Sequence, residues 1–260
     1  MTDTAALDLD LQCALVAYLL PWADDELILG HRDSEWTGFA PMLEEDLAFS
    51  SIAQDEIGHA ALIYGLIGAF TGDSPDLLAL DRPANGYLHT ALVERPNGDW
   101  AHTIARHYLY DLADAVRLEA LSTSNYAPLA GIARKMAREE HYHRMHGELW
   151  WDRLANGTSE SRERLIAAVG EVLPLTLDIL APIKGSELLL SEGILPQAME
   201  EQRARWREQV RPLPAALDYT LPTLLDGTLT MRAERPPSPT FLDLHAELTM
   251  VSGSGMGLRW

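Results

Sequence analysis

The chain has 260 residues, 47% of them apolar and 23% charged, with a net charge of −19, so it is long enough to bury a sizeable core in one large or two small domains. That acid surplus excludes phosphate-backbone recognition of nucleic acid, which needs Lys and Arg, and it excludes a polybasic membrane surface. A single cysteine, Cys13, rules out a disulfide within the chain and thiolate metal sites, and in its apolar run it reads as a small buried hydrophobe.

A first helix is predicted from a cap at Asp8 or Asp10 towards residue 35. Leu11, Leu15, Leu19, Trp22, Glu26 and Leu29 fall on one side of it. Pro21 is expected to kink or divide this helix. Pro41 begins the second helix, Glu44-Glu45-Asp46 put negative charge in its first turn, and it runs to about residue 70, where Thr71-Gly72-Asp73-Ser74-Pro75 ends it. Short helical pieces are predicted at 76–80 and 86–93. Asp99 caps a third long helix to about residue 122, with Ile104, Tyr108, Asp111, Ala115 and Leu118 on its buried stripe. A fourth helix runs through Ile132, Met136, Glu140, His143 and Leu149 to Asn156-Gly157, the latter read as a turn. Thr158 or Ser159 caps a fifth helix to about 180, a loop covers 182–196, and Pro196 opens a sixth helix ending near 210. The proline-rich stretch 211–240 reads as an irregular wrap, 241–251 as a last short helix, and the glycine-rich end as a flexible tail, since no helix follows it to cradle a phosphate.

Period-two alternation is nowhere sustained. Four long helices with short connections therefore predict an all-α protein, a four-helix bundle over about 8–157 with accessory helices and the wrap over about 158–260, in a single domain. No basic segment followed by an apolar one opens the chain, and no stretch reaches the ~18 uncharged apolar residues of a membrane span, so the expected location is the cytoplasm.

Two motifs carry the chemistry. Gln54-Asp55-Glu56-Ile57-Gly58-His59 and Glu139-Glu140-His141-Tyr142-His143 each contain Glu-x-x-His, which places a carboxylate and an imidazole on one helical face. With 20 Glu and 9 His in 260 residues, chance alone gives about 0.7 such spacings. The arrangement is more specific. Glu26 lies 30 residues before Glu56 and Asp111 lies 29 before Glu140, so each motif has a lone acid one helix upstream. Two Glu-x-x-His motifs and two lone acids form the ligand set of a di-metal carboxylate bundle. Both lone acids interrupt apolar stripes, where an unpaired carboxylate is costly. Glu119 rivals Asp111 but breaks the spacing symmetry. Glu45 rivals Glu26 but precedes Glu56 on the same helix and reads as a helix-start charge.

Asp55 and Glu139 each precede a motif Glu. Either they orient the imidazoles, whose second nitrogen needs an acceptor, or they are plain polar positions. His141 and His146 fall off the motif face at about 100° per residue. His31, His89, His102, His107 and His245 have no ligand-spaced partner and read as structural. Trp150-Trp151 reads as core. No Gly-x-Ser-x-Gly elbow, Cys-His pair or phosphate loop competes.

Carboxylate and imidazole ligands suit iron, or manganese, over a thiolate-site zinc. Such a pair of metals supports oxygen insertion, desaturation or ferroxidase chemistry, and the ligands alone do not choose.

The segments Asp24-Asp25-Glu26-Leu27-Ile28-Leu29-Gly30, Ser34-Glu35-Trp36, Ala40-Pro41, Gln54-Asp55-Glu56-Ile57-Gly58-His59, Pro96-Asn97-Gly98-Asp99, Tyr110-Asp111, the second motif and the final Gly257-Leu258-Arg259-Trp260 resemble the phenylacetyl-CoA epoxidase family of ferritin-like proteins. The match is strongest over about 20–157. The family pairs two related bundle subunits, one catalytic with a di-iron site and one a scaffold that has lost ligands. This chain looks more like the scaffold overall, yet Glu26, Glu56, His59, Asp111, Glu140 and His143 match the catalytic pattern.

The resemblance implies two iron ions and an O2-dependent monooxygenase. It implies electrons from a separate reductase, an aromatic or other hydrophobic acyl-CoA substrate, and assembly with itself or with a related bundle subunit. The alternatives are a non-catalytic partner subunit and a ferritin-like metal or peroxide oxidase. The basic cluster near the site, Arg134, Lys135 and Arg138, reads as a solvated helix face sooner than as a CoA-phosphate cradle.

Overall fold

A computed structural model describes residues 7–219 and 235–254. Among them there is no strand, and the architecture is the expected all-α bundle. No described helix is long and apolar enough to cross a membrane. The long helices are α1 (Leu9–Ser34), α2 (Leu43–Thr71), α4 (Trp100–Leu121) and α5 (Ala127–Asn156), with the short α3 (Pro75–Leu80) between the pairs. α1 packs along α2, α4 along α5, and α2 also meets α5.

The caps explain where these helices begin. Asp8, Asp99 and Thr158 accept backbone N–H groups of their first turns, and Thr158 completes a capping box with Ser161. Gly72, left-handed at φ 82°, ends α2. Pro21 does not divide α1, which continues as one helix. Residues 21–30 are all buried, and packing on that scale outweighs the single N–H that proline lacks.

Residues 86–93 are not a helix. A 3₁₀ turn at Ala84–Gly86 is followed by an irregular strap. The strap is held from α1: Asp24 accepts the Leu88 N–H at 2.7 Å, and Asp25 accepts the Thr90 N–H at 2.6 Å. Arg82 and Tyr64 also bind Asp24. Carboxylates thus satisfy backbone groups that a helix would otherwise have paired.

Behind the bundle come α6 (Ser159–Val172), α7 (Ser186–Ser191), α8 (Met199–Val210), α9 (Pro212–Ala215), α10 (Pro239–Leu248) and α11 (Met250–Ser254). α6 stops at Val172 because Pro174 cannot continue the ladder, and a 3₁₀ segment, Leu173–Asp178, follows. The predicted loop 182–196 contains α7, whose Leu189 is buried. The sixth predicted helix starts at Met199, not Pro196. α6 and α8 cover the outer side of α4, where the Trp206 indole donates to the Leu109 carbonyl at 3.3 Å. α4 is therefore buried almost all round. One hydrophobic cluster runs from Ala14 on α1 to Leu244 on α10. A smaller one, Phe49, Ile52, Ile104 and Trp150, closes one end with Trp36 and Trp100 stacked edge-on, 5.0 Å apart.

Cys13 is exposed, not buried: the sequence run is apolar, but this position faces outward. Much of the proline-rich wrap (220–234) and the end of the glycine-rich tail (255–260) lie outside the described residues.

Candidate metal centre

Glu26 sits mid-way along α1, fully buried. Its Oε1 accepts the Trp22 indole N–H at 2.9 Å, one turn back, and the Tyr110 hydroxyl at 2.8 Å from α4. That leaves Oε2 facing His59 Nδ1 on α2 at 3.3 Å. The close approach of α1 and α2 depends on Gly30, where a Cβ would come within 2.9 Å of the Glu56 Cβ. Glu56 is wholly buried, 3.4 Å from His59 Nδ1 and 3.4 Å from His143 Nδ1. Glu140 on α5 lies 3.2 Å from His143 Nδ1 and 3.6 Å from His59 Nδ1. Ligand-type atoms of Glu26, Glu56, His59 and Glu140 all lie within 4.8 Å of one another.

The outer nitrogens of the two imidazoles are held crosswise. His59 Nε2 faces Glu139 on α5 at 3.0 Å, and His143 Nε2 faces Asp55 on α2 at 3.3 Å. Each acid that precedes a motif Glu thus meets the imidazole of the opposite helix. Asp55 and Glu139 are placed as acceptors for the two Nε2 atoms, and both Nδ1 atoms are turned inward.

Asp111 is also fully buried, and it forms a second group with Glu56 and His107, a histidine outside either Glu-x-x-His motif. His107 Nε2 lies 3.2 Å from Asp111, and its Nδ1 lies 3.2 Å from Asp33, which is fixed by Arg106 at 2.9 Å. Neither imidazole contact is aligned as a hydrogen bond. The signal for His107 was the four-residue step to Asp111 on one helical face, a spacing other than Glu-x-x-His. No spacing in the sequence marks Trp22 and Tyr110 as donors to Glu26. Nor does one mark Asp114, buried one turn beyond Asp111 and paired with Arg117 at 2.6 Å.

The rivals sit elsewhere. The Glu119 side chain is 68% exposed and pairs with Arg205. Glu45 is buried on His146 Nε2 at 2.6 Å. His89 meets Glu94, and His245 meets the Arg82 carbonyl.

Do these residues fit a cation? Five buried carboxylate oxygens, both of Glu56, both of Asp111 and one of Glu140, have no aligned hydrogen bond, only imidazole nitrogens at 3.2–3.4 Å beside Glu56 and Asp111. Burial of such groups without a partner is strongly unfavourable, and a divalent cation satisfies them. The electrostatics agree. Burial pushes Glu26 and Asp111 well above the carboxylate range. Glu56, though buried, is held well below it by His143 and His59. Burial lowers His59, but Glu26 and Glu56 outweigh it and raise it to about 12, and His143 is raised by Glu140 and Asp55 against the same burial. The cluster thus attracts positive charge at its centre. Hard oxygens with two imidazoles fit iron or manganese.

A family profile described as "Phenylacetic acid catabolic protein" matches residues 1–235. The chain is 36% identical over 200 residues to the C-type subunit of 1,2-phenylacetyl-CoA epoxidase from Escherichia coli (strain K12), covering 75% of this chain and 79% of that one. It is 23% identical over 205 residues to the A-type subunit of the same organism's enzyme, covering 77% of this chain and 66% of that one.

Proposed function

The chain belongs to the phenylacetic acid catabolic protein family, and from that premise we propose that it is the metal-bearing subunit of an O2-dependent di-iron monooxygenase resembling phenylacetyl-CoA epoxidase. Its substrate is an aromatic or other hydrophobic acyl-CoA, its electrons come from a separate reductase, and it assembles with a related bundle subunit. The observation that supports this reading is the buried Glu56 and Glu140 carboxylates beside the His59 and His143 imidazoles, with Asp111 grouped with Glu56 and His107.

Glu26, Glu56 and His59 would hold one metal, and Asp111, Glu140 and His143 the other. Iron bound there would contribute O2 reduction chemistry, two electrons with two protons from solvent per O2, one oxygen atom going to the substrate and the other to water. The chain's own residues do the rest. Trp22 and Tyr110 fix which oxygen of Glu26 turns inward. Asp55 and Glu139, facing the two Nε2 atoms, would hold the imidazoles with Nδ1 towards the metals. The apolar faces of α1 and α4 keep water out.

The test is anaerobic Fe(II) loading followed by elemental analysis, then a single turnover with the chemically reduced protein and isotopically labelled O2. Two irons per chain and label in the product are expected. No bound iron sinks the reading.

One observation favours a second reading, a non-catalytic partner subunit: the identity to the C-type relative exceeds that to the A-type one. Iron that binds but supports no labelled product in the presence of reductant and substrate would select it.

A further inference from the structure

α5 carries two arginines ten residues apart, Arg134 and Arg144, and both line a cavity of about 330 Å³ between α4 and α5. The cavity runs inward from the surface. Arg134 and His141 at its walls are exposed, whereas Glu140, also on its wall, is 2% exposed and belongs to the metal cluster. Ala115 on α4 and Ala137 on α5 leave the room between the helices.

The charges here are unusual for this chain. It has 39 acids against 20 Lys and Arg, and neighbouring arginines find carboxylates: Arg106 takes Asp33, Arg117 takes Asp114, and Arg205 takes Glu119 on the rim of this same cavity. Arg134 and Arg144 have no carboxylate partner among the described residues. Arg134 donates to the Ser122 carbonyl, and the Arg144 Nε is buried with no acceptor. A buried guanidinium N–H without an acceptor is costly, and a guanidinium fork matches carboxylate and phosphate oxygens.

We infer that this cavity is a binding site for an organic oxyanion, with carboxylate or phosphate oxygens on Arg134 and Arg144 and an apolar body lying along Ala115 and Ala137 towards Glu140. The volume is at the small end for ligand sites of about 300–1,000 Å³. The oxyanion comes from one of two sources, the ionised head of a free aromatic acid or the phosphates of a thioester carrier. The direction in which the ligand points rests on the di-metal reading, but the anion site itself does not.

Isothermal titration calorimetry tests it on the full chain, both metal-free and iron-loaded, with phenylacetate, coenzyme A and inorganic phosphate as separate probes. At least one probe is expected to bind with a Kd of about a millimolar or tighter. Arg134→Gln and Arg144→Gln should each weaken it about tenfold or more. Arg138→Gln, on the same helix but off the cavity, should leave it unchanged. Ala115→Leu should abolish it while circular dichroism stays that of the parent.

Binding of phenylacetate alone assigns the free acid, and binding of coenzyme A and phosphate assigns the carrier. The inference is overturned if no probe binds, or if the Arg134 and Arg144 variants bind like the parent. Iron content measured on the same samples separates the two readings: anion binding without iron uptake defeats the di-metal assignment and leaves this one standing.

Discussion

Glu26 and Asp111 hold corresponding places, one on α1 and one on α4, each about thirty residues before its Glu-x-x-His, yet their carboxylates meet different company. Glu26 keeps one oxygen on two neutral donors, Trp22 and Tyr110. Asp111 has no aligned donor on either oxygen and lies instead beside His107, backed by Asp33 and Arg106. The Glu26 half is braced by the protein itself. The Asp111 carboxylate has only the unaligned His107 imidazole beside it, and Glu140 also reaches the α4–α5 cavity. Equal spacing in sequence therefore sets the two acids in unequal surroundings, one already hydrogen-bonded and one without an aligned donor.

The largest effect should come from the residue the halves share. Glu56→Ala removes the carboxylate that faces both His59 and His143, and iron should fall from two per chain to none by elemental analysis; retention of two would break the shared-carboxylate picture. Asp111→Ala should lose at least one iron, whereas Glu119→Ala should lose none, and the reverse result would move the α4 ligand to Glu119.

Smaller effects separate the orienting acids. Asp55→Asn and Glu139→Gln should each weaken iron affinity about 10–100-fold in chelator competition. Unchanged affinity would mean that the crossed contacts orient nothing. Smaller still, Tyr110→Phe should cost the metal-free protein about 1 kcal/mol, seen as a Tm lower by about 2–4 °C, because it takes a donor from Glu26. Asp111→Asn takes no hydrogen bond away, so its metal-free Tm should stay level or rise. Equal losses in both variants would erase the contrast between the halves.

Much of this was legible in the residues. Asp99 and Thr158 announce helix starts, and the paired spacing singles out Glu26, Glu56, Asp111 and Glu140, all of them buried. What stayed hidden depends on partners far along the chain. His107 looked like a structural histidine because Asp33, its second neighbour, lies on another helix. The strap at 86–93 looked helical because nothing local shows that Asp24 and Asp25 take its N–H groups. Arg134 was grouped with Lys135 and Arg138, yet Lys135 pairs with Glu139 and it is Arg144 that shares Arg134's cavity. Sequence neighbours on a helix diverge by about 100° each, and only the packed neighbour shows which of them count.

The crossed pairing of Asp55 with His143 and Glu139 with His59 has a consequence for how the bundle keeps its alignment. Both contacts join α2 to α5, and they run in opposite senses, each helix lending an acid to the other's imidazole. If α2 slid along α5 by a single turn, about 5.4 Å, both would part together. The pair acts as a vernier. It favours one register of the two helices, and in that register the Nδ1 atoms of His59 and His143 stand 3.2–3.6 Å from the Glu56 and Glu140 carboxylates. Alignment and site assembly are then one event, and a protein that has lost its vernier acids should lose the fixed geometry of the cluster before it loses its helices.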